Sequence, residues 1–175
     1  MKPTDVKLKS PDESQAEMIQ LVMPQNTNTI GTLFGGQVMS WIDICALIVA
    51  QRHCRHPVVT ASIDSVHFMK PIKLGHNVIL KSRLNAVFRS SMEIGTVVFA
   101  EDTLTGERFK AVRAYCTFVA TSKEGQPLNV PGLLLESDED RRRHREAEER
   151  RARRLLYRRL ELEHSQGASG LKEKE

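Results

Sequence analysis

The sequence predicts an α+β domain in which one long buried helix lies against an antiparallel sheet, with a charged helical tail behind it. Three observations predict this. Residues 37–52 contain neither Pro nor Gly and place apolar side chains at 38, 41, 42, 45, 46, 48 and 49, a wide helical stripe. Four stretches between 58 and 120 alternate in polarity and are rich in β-branched residues. The connectors between them are short and carry turn formers, whereas parallel crossovers take a dozen residues or more.

Length and composition set the frame. The chain has 175 residues, enough for one ordinary domain and a tail but not for two comfortable cores. It is 40% apolar and 27% charged, within the globular range and against disorder throughout. Lys and Arg number 26 against 22 Asp and Glu, and an excess of +4 is too small to announce a nucleic-acid partner. Residues 1–135 carry 14 basic and 11 acidic side chains, and residues 136–175 carry 12 and 11, so the tail is dense in charge yet nearly neutral. We therefore divide the chain into a domain at 14–135 and a charged tail at 136–175.

In chain order, residues 14–22 read as a strand and 23–31 as a loop of turn formers. Gly35-Gly36 opens the helix at 37–52, which is too apolar to lie on a surface and is expected to be buried on most sides. After His56-Pro57 the period changes to two, giving strands at 58–68, 77–88, 91–100 and 108–120, with 71–75, 89–90 and 103–106 as hairpin connectors. Past Pro131-Gly132 the composition shifts abruptly. Residues 138–163 lack Pro, Gly and β-branched side chains and place acids in the first turn. Opposite charges fall four apart at Asp138/Arg142, Glu139/Arg143, Glu146/Arg150 and Glu149/Arg153. This pattern predicts a solvent-exposed helix with Leu155, Leu156 and Leu160 as its docking patch, and residues 165–175 are expected to fray.

Three cysteines, Cys45, Cys54 and Cys116, form an odd set without CxxC spacing, which argues against a disulfide framework or a zinc knuckle. No helical His pairing suggests a metal either, so neither metal nor cofactor is expected. The N-terminal residues lack the apolar core of a signal peptide. The most apolar stretch, 41–50, is half of what a bilayer crossing needs and contains Asp43. The expectation is a cytoplasmic protein without membrane insertion.

Asp43 is the residue that most needs explaining, because an unpaired carboxylate among apolar neighbours costs several kcal/mol or changes its proton affinity. It either hydrogen-bonds a loop or serves as a general base or nucleophile. Gly35 and Gly36, before a helix N-terminus, permit close approach of a ligand to free N–H groups suited to an oxyanion. Gly36 and Asp43 are two turns apart, about 10 Å along the axis, too far for one reacting atom. A substrate spans that gap or a second subunit completes the site. Asn28, in the preceding loop, orients a water or carbonyl through its amide, or serves only its own backbone.

Residues 28–43, Asn-Thr-Ile-Gly-Thr-Leu-Phe-Gly-Gly-Gln-Val-Met-Ser-Trp-Ile-Asp, resemble the signature of hotdog-fold acyl-CoA thioesterases of the acyl-CoA hydrolase family. Residues 59–75, 89–94 and 117–131 agree with it. The resemblance implies a sheet of five to six antiparallel strands wrapped round a central helix, homodimers with shared active sites, and hexamers built as trimers of dimers. It implies hydrolysis of fatty acyl-CoA, with Asp43 as base or nucleophile, Asn28 as its partner from across the dimer, and the Gly36 amide polarising the thioester carbonyl. Coenzyme A would be held near Gly35, at Lys70 and Pro71, and at the turn Arg89, Ser90 and Ser91; as part of the substrate it is not a cofactor. Phe34 departs from the pattern, standing where many relatives have His. The competing reading is a non-catalytic acyl-CoA sensor of the same fold.

Overall fold

The computed structural model describes residues 8–169. Its strands are β1 (Leu8–Lys9), β2 (Ala16–Leu21), β3 (Val58–Phe68), β4 (Asn77–Val87), β5 (Ser91–Glu101), β6 (Arg108–Ala120) and β7 (Gly132–Leu133), and its helices are α1 (Gly35–Cys54) and α2 (Asp138–Ser169). Five strands form one antiparallel sheet in the order β2-β4-β5-β6-β3. The short β1 and β7 pair in parallel beside it, an element with no periodic signal in the sequence. Of the stretch expected to fray, 165–169 continues the α2 backbone and 170–175 lies outside the described residues.

The sheet curls round α1. The helix buries Val38, Ile42, Cys45, Ala46 and Val49 against Leu80, Leu84, Ile94, Val98, Cys116 and Phe118. Filling such a core stabilises by roughly 1.5–3 kcal/mol for each large apolar side chain removed from water. The burial is not complete, however: Met39 and Ile44 on α1 remain 39% and 44% exposed, so one face of the helix stays open. The helix also begins earlier than its apolar stripe, at Gly35, with Phe34 as an N-cap that makes no side-chain hydrogen bond. Both glycines therefore sit inside the first turn rather than before it.

The connector after β3 is not the hairpin expected. β3 pairs with β6, while β4 lies between β2 and β5, so residues 69–76 must pass along the end of the sheet. The physical reason is closure: β3 has to reach the far side of α1 to cover it. The passing segment is fixed instead to the loop before α1, where the Leu33 amide donates to the Ile72 carbonyl at 2.7 Å and Thr32 bridges Lys73.

The tail helix also differs from expectation. Rather than standing free, α2 crosses the outer face of the sheet, held by charged groups. Arg83 of β4 reaches Asp140 at 2.6 Å, Arg150 reaches Glu93 of β5 at 2.7 Å, and Arg154 pairs with Asp64 of β3. Arg150 also lies 3.8 Å above the Tyr115 ring and Arg151 4.3 Å above that of Phe88. Guanidinium planes stack and fork in ways leucines do not, which is why the docking residues are arginines. Leu155, Leu156 and Leu160, the anticipated docking patch, stay 47%, 56% and 41% exposed. Along the helix, Glu139/Arg143 and Glu146/Arg150 pair as expected, while Arg142 takes Glu139 and Glu146 in place of Asp138.

Candidate active site

Asp43 lies near the middle of α1, half-buried, on the helix face that the sheet leaves open. Its Oδ1 accepts a hydrogen bond from Thr60 Oγ1 at 2.7 Å. Thr60 stands beside a break in β3: the register with β6 shifts between Thr60 and Ser62 and again between Ile63 and Ser65. Such bulges re-aim a side chain, and here the result is a threonine hydroxyl delivered to the helix. Sequence reasoning passed over Thr60. Strict alternation puts Thr60 on the opposite row from Ile63, three residues on, so only the bulge brings it to the helix and no local signal marks it. Behind this pair, burial and the nearby charges of Asp43, Asp64 and Glu93 push the Cys116 thiol up to about 12, so it stays protonated and inert.

Asn28 organises the loop before α1. Its Oδ1 accepts from the amides of Ile30 and Thr32, both at 3.1 Å, and its Nδ2 lies 2.9 Å from Thr32 Oγ1. Gly31 takes the left-handed conformation this tight loop requires, with φ of 76°. Gly36 follows in the first helical turn, where backbone amides have no acceptor within the helix. The Phe34 ring closes over it so tightly that a Cβ at position 36 would overlap the ring edge.

A cleft of about 350 Å³ opens between this loop and the end of β3, lined by Leu33, Gly35, Val38, Phe68, Lys70 and Pro71 among others. Three of the anticipated coenzyme-binding residues, Gly35, Lys70 and Pro71, therefore meet at one place. Arg89, Ser90 and Ser91 do not join them within the chain. The Ala120 amide donates to the Ser90 carbonyl, whereas the cleft sits at Val112. Those positions are eight residues apart on β6, about 27 Å at 3.4 Å per residue. Among the described residues, no three His, Cys, Asp or Glu side chains come together as a metal site, and no helix is long and apolar enough to cross a membrane.

A five-stranded antiparallel sheet curled round a long helix is the hotdog fold. The sequence profile of the Thioesterase superfamily matches residues 30–107. The chain is 44% identical over 138 residues to YkhA of Bacillus subtilis (strain 168), named an uncharacterized acyl-CoA thioester hydrolase, covering 79% of this chain and 80% of that one. It belongs to the thioesterase superfamily, among the hotdog-fold acyl-CoA thioester hydrolases.

Solved structures agree. An acyl-CoA hydrolase from Staphylococcus aureus, in complex with butyryl coenzyme A, coenzyme A and coenzyme A disulfide, superposes with a TM-score of 0.83 at 37% identity, over 93% of this chain and 99% of that chain. Variants of that enzyme, Asp43Ala, Thr60Ala and Asn28Ala, also match. An apo-hexameric acyl-CoA thioesterase superposes with a TM-score of 0.83 at 34% identity, over 87% and 97% of the two chains. Of the mammalian acyl-CoA thioester hydrolases it matches, the chain spans between 24% and 37% of the length.

Proposed function

We propose that this protein hydrolyses fatty acyl-CoA to free fatty acid and coenzyme A, with the work divided between two copies of the chain. The observation that carries the reading is the carboxylate of Asp43, held by Thr60 on the uncovered face of α1. Asp43 takes a proton from water, the water oxygen attacks the thioester carbonyl carbon, and the oxyanion that forms faces the Gly36 amide. The C–S bond then breaks and the departing thiolate takes up the proton. Water is the only co-reactant, so the scheme uses no cofactor.

The two-copy arrangement follows from distances. Gly36 and Asp43 are about 10 Å apart along α1, so one chain does not place both on one carbonyl. β3 is an edge strand, paired with β6 on one side, and side chains on β3 and α1 such as Val59, Phe68, Met39 and Ile44 are exposed apolar groups of the kind an interface covers. Antiparallel pairing of two β3 edges brings the Val58 end of one chain to the Phe68 end of the other. That movement carries Arg89–Ser91 of one copy toward the cleft of its mate and Asp43 toward the opposing glycine turn. Asn28, whose loop carries that turn, then faces the opposing carboxylate. Lys70 and the Arg89 turn offer charge and hydrogen-bond donors to the phosphates of coenzyme A. The S. aureus enzyme binds coenzyme A, and this chain also has Asp at 43, Thr at 60 and Asn at 28. The hexameric relative supports a larger assembly, which three such dimers would make.

Thiol release from acyl-CoAs of graded chain length, with wild type and Asp43→Ala side by side, tests the proposal. Turnover by wild type and a loss of at least a hundredfold in kcat for the variant are expected. Tight acyl-CoA binding without thiol release in the wild type would leave a sensor instead, and equal rates would remove Asp43 from the chemistry.

A further inference from the structure

The two bulges of β3 lie on either side of Ser62 and Ile63, and they decide where Thr60 falls. Against β6 the register moves by one residue between Thr60 and Ser62, and by one more between Ile63 and Ser65. Ala61 and Asp64 are therefore the extra residues. Thr60 stands opposite Phe118, Ile63 opposite Cys116 and Phe68 opposite Val112, all three partners being buried core residues. The Phe68 end is fixed, because the Met69 amide donates to the Ala111 carbonyl at 2.8 Å. From that fixed end, losing one bulge would turn Thr60 to the outer face of the sheet. Losing both would keep its face but slide it two residues along β6, roughly 7 Å, out of reach of Asp43.

A bulged residue drops out of the strand ladder, so other groups must hold it in place. Asp64 is held twice. Its Oδ1 accepts from Ser62 Oγ at 2.9 Å, which ties the second bulge to the residue after the first, and its Oδ2 accepts from Arg154 of α2. One turn earlier on α2, Arg150 covers the ring of Tyr115, which stands opposite Ser65. Four helical residues advance about 6 Å and neighbouring strands lie about 4.8 Å apart, so arginines at that spacing reach adjacent strands. The helix thus grips β6 and β3 side by side at the second bulge, and fixes their register from the outer face.

We infer that Arg154, Asp64 and Ser62 are positioning residues for the Asp43 carboxylate: they hold β3 in the bulged register that delivers the Thr60 hydroxyl to α1. The inference rests on the role proposed above for Asp43 and extends its support to the far side of the sheet. None of the three lines the cleft between the Asn28 loop and the end of β3. Arg154 and Asp64 meet on the face turned away from α1, so they act on Asp43 only through Thr60. The charge-dense tail is in this way part of the scaffold of the site.

Full-length Asp64→Ala and Ser62→Ala proteins, each made also in a Thr60→Val background, read the coupling through thiol release. Asp64→Ala is expected to lower kcat by about threefold or more, yet by no more than Thr60→Val does, with KM changed less than about twofold. In the Thr60→Val background the same substitution should alter kcat by less than about 1.5-fold, because the hydroxyl it acts through is already gone. Ser62→Ala, which leaves Arg154 on Asp64 and α2 on the sheet, should show a smaller loss in the same pattern. Arg154→Ala is expected to match Asp64→Ala, and Arg154→Lys to recover most of the rate. Full rates in Asp64→Ala and Arg154→Ala, or losses that multiply with that of Thr60→Val, overturn the inference. The Thr60 methyl resonance, observed in threonine-labelled protein and assigned by its loss in Thr60→Val, gives a second reading without substrate. It is expected to move in Asp64→Ala and in Arg154→Ala, and a resonance that keeps its place in both overturns the inference. An Asp43→Ala protein with full activity would strike the hydrolysis scheme instead, and the resonance would still decide what holds Thr60.

Discussion

The Thr60 hydroxyl donates to the Asp43 carboxylate across 2.7 Å, tying the edge strand of the sheet to its central helix. The bond fixes which way the carboxylate points while leaving its second oxygen free to meet water. Thr60→Val removes the donor at nearly constant volume. We expect kcat to fall about tenfold, with a much smaller change in KM, since a hydrogen bond to a charged group contributes about 1.5–3 kcal/mol and only part of that concerns orientation. Thr60→Ser is expected to recover most of the rate. Steady-state thiol release by the three proteins checks the order, and a Val variant as fast as wild type would show that the helix alone positions the acid.

Glu93 is fully buried, and Arg150 covers it with Nε and a terminal nitrogen while Asn85 Nδ2 donates from the side at 3.1 Å. Burial alone would push the Arg150 guanidinium down, but the hydrogen bonds and charge of Glu93 outweigh it and hold it above its ordinary value. Removing one partner of such a pair leaves a buried charge uncompensated, at a cost of about 3–5 kcal/mol. Arg150→Ala is expected to lose stability on that scale or to release α2, seen as new protease cleavage between 137 and 160. Glu93→Gln/Arg150→Ala should recover part of the loss, and a denaturant double-mutant cycle measures how much.

The contrast between these two pairs explains what the sequence disclosed. α1 was legible because its periodic apolar stripe is local, and Asp43 stood out within it for the same reason. The strands after residue 58 were legible from alternation, but their order was not: nothing local says that β3 pairs with β6 and leaves 69–76 to cross the sheet end. Glu93 reads as an outward, solvated strand residue until α2 lies over it, a tertiary event. Thr60 required knowing that a bulge turns it toward the helix. In the tail, the spacing of charges correctly announced a helix, yet the same arginines serve the sheet, and pairing at four-residue spacing conceals that second use.

Asp140 carries a pH dependence. Burial opposes its charged form, but hydrogen bonds from Ser137 and the Arg83 guanidinium prevail and hold its carboxyl down to about 2, below the ordinary 3.8. The folded protein keeps the carboxylate charged where the unfolded chain has already taken up a proton. Its contribution is therefore complete above about pH 4 and is lost as the pH falls from there toward 2, amounting to about 2 kcal/mol for the shift of nearly two pH units. Urea unfolding at pH 5 and pH 2.5 should show this loss in wild type. Asp140→Asn, which has no proton to take up, should show correspondingly less change across the same interval.

Gly36 separates catalysis from stability. A Cβ there would overlap the Phe34 ring edge, but that ring is 57% exposed and free to swing outward. Alanine is also the better helix former by roughly 1 kcal/mol, and Gly36 has no left-handed conformation to defend. Gly36→Ala is thus expected to melt no lower than wild type. Its amide, however, would acquire a methyl neighbour and lose the Phe34 cover at the point where the oxyanion is to be held, so kcat/KM should fall at least tenfold. Phe34→Ala alone, which removes the cover but adds no methyl beside the amide, is expected to lose less activity, without a change in melting temperature. Thermal melts beside thiol-release kinetics on the three proteins decide the matter, and a Gly36→Ala protein with full activity would move the oxyanion away from this turn.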